Sequence, residues 1–317
     1  MAHRDSCDKD CLDHLSLTTY AITFILGLPF NLLALGAFFR QARHKSLTPN
    51  VVYMTNLCLA NLVFITWLPI KIMETLNSRW TLPAVLCPLY NFCHFSTLYA
   101  SALFLTAISV GRYLSIAFPI QYKIYKKAKN SCMVCLVLWA LVLIHVALVS
   151  ITEGNGSRYF VFSSSNNTST CFENFTQAQL DFLVPLRLEM SIVLFLAPLL
   201  VTTFCYLSCI TLVLHTQMCA RRKKRVILVA VTTLLVFVAC FAPYNISHVV
   251  GFIKKQSVWW RREALLTSTC NAFLEPIIFF FLSSSMEQSI CHCWLTVREK
   301  SIGLDKTMAL SCHRATE

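Results

Sequence analysis

The stretch from Cys87 to Tyr113, CPLYNFCHFSTLYASALFLTAISVGRY, decides the fold. It is apolar over 88–110, and its first charged residue is Arg112. A helix from Cys87 to Arg112 runs about 37 Å at ~1.5 Å per residue, longer than the ~30 Å hydrocarbon core of a bilayer. Similar apolar stretches lie near 17–39, 51–73, 131–152, 184–214, 226–252 and 264–283, with polar connections between them. Each reaches the ~20 residues that a spanning helix needs. The expected fold is an all-α membrane protein: a seven-transmembrane helix bundle over 17–284. A polar N-terminal segment, 1–16, precedes it, and 285–317 is expected to form a short cytosolic amphipathic helix and tail.

Composition agrees. Of the 317 residues, 56% are hydrophobic and 13% charged, where soluble domains carry about 25% charged residues. The start of the chain is polar, with Asp5, Asp8, Asp10 and Asp13. It has no short apolar core before a small-residue cleavage site, so the first span is expected to insert as its own signal.

Charge placement sets the orientation. Arg40, Arg43 and Lys45 follow span 1, Lys123, Lys126, Lys127 and Lys129 follow span 3, and Arg221-Arg222-Lys223-Lys224-Arg225 precedes span 6. None of these connections holds an acid, so they are expected in the cytosol, with the N-terminus outside and the C-terminus cytoplasmic in the plasma membrane. The glycosylation sequons at Asn155, Asn166, Asn167 and Asn174, after span 4, agree with that assignment. The net charge of +12 is read as a cytosolic face meeting anionic membrane lipids; no nucleic-acid motif accompanies it.

Half of the 16 cysteines lie inside spans, where a free thiol packs as a small apolar residue. Cys87, at the opening of span 3, and Cys171, in the loop before span 5, sit in oxidising surroundings where a bridge persists. Cys7 and Cys11 also lie outside and can pair with each other or with a loop.

Read in order, the motifs resemble those of rhodopsin-like G-protein-coupled receptors over nearly the whole chain. Asn31 lies in span 1, and Asn56-Leu57 with Leu59-Ala60-Asn61 in span 2. Gly111-Arg112-Tyr113 closes span 3, Trp139 marks span 4, and Pro198 and Tyr206 mark span 5. Cys240-Phe241-Ala242-Pro243 stands in span 6 and Glu275-Pro276-Ile277-Ile278-Phe279 in span 7. The resemblance implies heterotrimeric G proteins as transducers, arrestin as a further partner, no enzymatic activity and no cofactor. Arg112, Tyr206, Pro243, Phe241, Asn61 and Glu275 are then the residues of coupling and activation. Three positions depart from the pattern: Gly111 where an acid is usual, Asn61 where Asp is usual, and Glu275 where Asn or Asp is usual. Glu275 reads either as the displaced charge of a sodium site near Ser101 and Asn61, or as a protonated, hydrogen-bonded carboxyl.

The ligand side is read from depth along the helices. Arg187 lies about 16 Å outward from Pro198, and Arg261 roughly 22 Å outward from Pro276. One arginine there can simply snorkel to headgroups. Two, with Tyr99, His94, His145, Tyr244 and His248 at matching depth, point to an anion pocket, since a planar guanidinium suits a carboxylate. No metal-ligand spacing appears among them.

Here the stretches 173–190, 242–252 and 257–262 resemble the free fatty acid receptors, closest to the short-chain members. That resemblance implies a free fatty acid ligand gripped by Arg187 and Arg261 and surrounded by His145, Tyr99, Tyr244 and His248. Glu153 and Glu173 match loop acids of the medium- and long-chain member, and His94 and Gly111 also resemble that member, so chain length stays open between the two. A receptor for a hydroxycarboxylate or nucleotide is the near alternative, and a membrane transporter the distant one, though paired interrupted helices are lacking. Beyond span 7, Cys291 and Cys293 read as palmitoylation sites on a juxtamembrane helix rather than as zinc ligands.

Overall fold

The computed structural model describes residues 2–44, 48–83, 85–125, 127–152, 171, 177–217 and 219–282. Its elements are α1 (Ala2–His44), α2 (Pro49–Asn77), α3 (Leu86–Ala117), α4 (Pro119–Tyr125) and α5 (Ala128–Thr152). Then come α6 (Gln177–Ser191), a π-helical turn (Ile192–Leu196), α7 (Ala197–His215), α8 (Ala220–Lys254), α9 (Arg261–Thr269) and α10 (Asn271–Leu282).

Six of the expected spans are long apolar helices: Cys11–Arg43, Pro49–Asn77, Leu86–Ala117, Lys129–Val149, Leu180–His215 and Ala220–Lys254. The seventh is α9 and α10 in series, interrupted at Cys270. Together they are long enough to cross the ~30 Å hydrocarbon layer. The hydroxyls of Thr267 and Ser268 bond back to the carbonyls of Ala264 and Leu265 at 2.8 and 2.6 Å. Such side-chain bonds compete with the helical ladder and bend it.

Local chemistry sets the other helix ends. Pro49 opens α2 after the extended Thr48, where its missing N–H costs nothing. Lys255 closes α8 in the left-handed region (φ 51°), and the next N–H, of Gln256, reaches back to the Gly251 carbonyl at 3.2 Å.

The helices pack around α3, which touches α2, α4, α5, α7, α8 and the π turn. Phe104, Leu194, Phe237 and Phe241 form the centre of the core and are essentially inaccessible. Trp139 donates to Asn56 Oδ1 at 3.2 Å and fixes α5 against α2. Outward-facing side chains such as Ile25, Leu136, Phe204 and Leu235 are exposed and apolar, as a lipid-facing surface requires.

One end of the bundle carries the Cys87–Cys171 disulfide (Cα–Cα 5.8 Å), packed with buried Trp80. The opposite end carries Arg112. Cys11 is an unbridged, exposed thiol.

Candidate functional site

At the disulfide end, side chains of α3, α6, α8 and α9 converge. Arg187, on α6, is buried, and Arg261 opens α9. His248 of α8 is buried within electrostatic reach of both guanidinium groups. Tyr244, one turn earlier, meets its ring edge-on at 4.4 Å between centroids. Phe95 of α3 stacks on Tyr244 at 6.0 Å, and buried Tyr99 lies within electrostatic reach of Arg187 and Tyr244. Arg187, Arg261, His248, Tyr244 and Tyr99 thus form one group: two fixed cations with phenol and imidazole donors. The helical spacing of Tyr244 and His248 puts both on one face, as i,i+4 pairs must be.

The π turn follows Arg187 directly. A wider turn changes the rotational phase between α6 and α7, which ideal-helix spacing does not anticipate. Ser191 donates to the Asn245 carbonyl at 3.3 Å and fastens α6 to α8 beside the group.

His145 and His94 border this group through Glu189 and Phe95. His145 Nε2 stands 3.1 Å from Glu189 Oε1, and its Nδ1–H donates to the Leu141 carbonyl at 2.7 Å. His94 is buried between Phe64 and Phe95, with Tyr90 Oη 3.1 Å from its Nδ1. It lines a cavity of about 20 Å³ together with Asn61, Ser101, Ser268 and Asn271, room for a water molecule.

That cavity adjoins a polar network crossing the middle of the bundle. Asn61 donates to Glu275 Oε2 at 3.0 Å and to Asn31 Oδ1 at 3.3 Å, and Ser101 donates to Asn61 Oδ1 at 3.3 Å. The Asn61 contact is compatible with either reading of Glu275. His94 Nε2, Asn271 Oδ1 and Glu275 Oε1 are buried without a hydrogen-bond partner among the described residues. Such atoms call for a small polar occupant.

At the other end, Arg112 Nη1 lies 3.5 Å from the hydroxyl of buried Tyr206. Gly111 is packed against Asn50 of α2, and a Cβ at 111 would run into Asn50 Oδ1. Pro243 lies within α8; Phe241, two residues before it, packs on Phe237 at 5.2 Å. Thr267 Oγ1 of α9, whose proton the Ala264 carbonyl accepts, also lies 3.1 Å from the Cys240 carbonyl, so the seventh span meets the sixth near its proline.

Glu153, Glu173, the sequons at Asn155, Asn166, Asn167 and Asn174, and Cys291 and Cys293 lie outside the described residues. Four polar contacts escaped the sequence reading. Glu189 pairs with His145. Glu74 accepts from Lys71 Nζ at 2.7 Å and from the Cys171 N–H at 2.8 Å, holding Cys171 to α2. Arg262 pairs with Asp13 at 2.7 Å, joining α9 to α1. A carboxylate within an apolar stretch, beside a cation on the same helix (Lys71 for Glu74, Arg187 for Glu189), was the available signal.

The chain matches the family of seven-transmembrane receptors (rhodopsin family) over residues 30–279. Free fatty acid receptor 2 of Rattus norvegicus is 42% identical over 286 residues, covering 90% of this chain and 86% of that protein. Free fatty acid receptor 3 of Mus musculus is 38% identical over 274 residues, covering 86% and 84%. Free fatty acid receptor 1 of Macaca fascicularis is 37% identical over 282 residues, covering 86% and 93%. By these matches, with the fold and the ordered motifs, the chain belongs to the free fatty acid receptor family, within the rhodopsin family of seven-transmembrane receptors.

Proposed function

We propose that this protein is a plasma-membrane receptor for short-chain fatty acids that signals through heterotrimeric G proteins of the Gi/o and Gq types. The convergence of Arg187 and Arg261 on His248 carries the ligand assignment. Arg187 is buried, Arg261 half-buried, and a carboxylate placed between them gains charge-assisted hydrogen bonds from both. Tyr99 and Tyr244 supply hydroxyls around it, and Phe95, stacked on Tyr244 at 6.0 Å, offers an apolar surface for a short acyl tail. The names of the relatives support a fatty acid as the carboxylate.

In this reading the disulfide end faces outside with residues 1–16, and the Arg112 end and 285–317 face the cytosol, in line with the placement of Lys and Arg. Binding draws α6, α8 and α9 together around the anion. Proline removes one backbone hydrogen bond from α8, so its two halves can change angle at Pro243. Outward movement of the Arg112 end of α8 opens Arg112, Tyr206 and the basic run 221–225 to the G protein, with arrestin as a later partner. The ligand acts only through its preference for that open arrangement. A panel of saturated fatty acids of increasing length, read as cyclic AMP fall and calcium rise in transfected cells, tests the assignment. The shortest acids should be the most potent; a response to long acids alone would reassign the chain length, and silence across the panel would remove the fatty acid.

A further inference from the structure

We infer that the cavity at the Arg112 end binds a multiply phosphorylated inositol group, carried by a membrane lipid or free in solution. The cavity has a volume of about 420 Å³, within the range of small-molecule sites. Arg112, Arg222 and Arg225 line it, with the hydroxyls of Ser115 and Tyr206. Among the described residues, no Asp or Glu lines it. Gly111 leaves α3 without an acid beside Arg112, and Asn50 fills that flank with a neutral amide.

Three cations in one recess repel each other, and a single charge offsets only part of that. A ligand bearing several phosphates meets all three, and the planar guanidinium fork matches phosphate oxygens. The remaining wall is apolar, including Met54, Val226 and Ile278. A basic recess between transmembrane helices, with a run of Lys and Arg beside it, is the geometry that recognises phosphoinositide headgroups. Arg222 and Arg225 stand on α8 and Arg112 on α3. An anion bridging them holds the end of α8 against α3 and so opposes the outward movement that coupling requires. The inference rests on the proposed orientation only for which leaflet supplies the lipid.

The test is direct binding to the full-length receptor in nanodiscs, with no fatty acid and no G protein, so its outcome is independent of the ligand assignment. The probes are free inositol trisphosphate added to phosphatidylcholine discs, and phosphatidylinositol bisphosphate incorporated in the disc. Saturable binding of either probe is expected; which of the two binds identifies the source. The double variant Arg222→Gln/Arg225→Gln should weaken it by about tenfold or more, through loss of two charge-assisted contacts. Arg221 and Lys224 are exposed neighbours outside the lining, and Arg221→Gln/Lys224→Gln should change binding by no more than about twofold, as screened surface charges do. Equal loss in both double variants, or no saturable binding of either probe, overturns the inference.

Discussion

His145 and Glu189 form an ion-pair contact across α5 and α6, with Nε2 and Oε1 3.1 Å apart. Nδ1–H of the same ring is spent on the Leu141 carbonyl, so the imidazole meets Glu189 through Nε2 alone. Glu189 also lies within electrostatic reach of Tyr99, so it lowers the positive potential that Arg187 presents two residues earlier. Glu189→Gln should therefore raise carboxylate potency by about threefold, the size expected of one partly screened charge. Dose–response curves matched for surface expression check this; a loss of potency would mean that the pair builds the pocket rather than opposing the ligand.

Asn31 donates to the Ala272 carbonyl at 2.7 Å, the acceptor that Pro276 cannot serve because it has no N–H. Asn31→Ala should cost about 1–3 kcal/mol by leaving a buried carbonyl unpaired. In a Pro276→Ala background the helix supplies its own donor, and the cost should shrink. Thermal midpoints of the two single variants and the double variant, in detergent, measure the coupling. Equal cost in both backgrounds would refute the account of this contact.

The same contact marks what the sequence discloses and what it withholds. Asn31 and Pro276 are both visible as motif residues, but their meeting is not. Hydropathy and spacing give each residue a depth along its helix, so Arg187, Arg261, Tyr244 and His248 were legible as one layer. Rotational phase and partner choice come from packing. The π turn at Ile192–Leu196 re-phases the fifth span, and the break at Cys270 splits the seventh; neither leaves a periodic signature. His94 and His145 share the depth of the pocket, yet one is enclosed by Phe64, Tyr90 and Phe95 and the other is turned to Glu189.

Gly111 illustrates a close approach that a motif comparison reads only as a missing acid. Gly111→Ala should destabilise the receptor by about 1–3 kcal/mol, the usual cost of overpacking, because the new methyl meets Asn50. Asn50→Ala should relieve most of that loss when combined with it. A thermal-shift series on the three variants decides the point: no rescue in the double variant would show that Asn50 is not the obstacle.

The central claim is that Arg187 and Arg261 grip one carboxylate together. Its most direct test is the response of Arg187→Ala and Arg261→Ala receptors to a short-chain fatty acid, with cell-surface expression measured on the same cells. The account predicts that each variant reaches the surface and loses the response at every concentration tried. A full response in both, at normal surface expression, would contradict it.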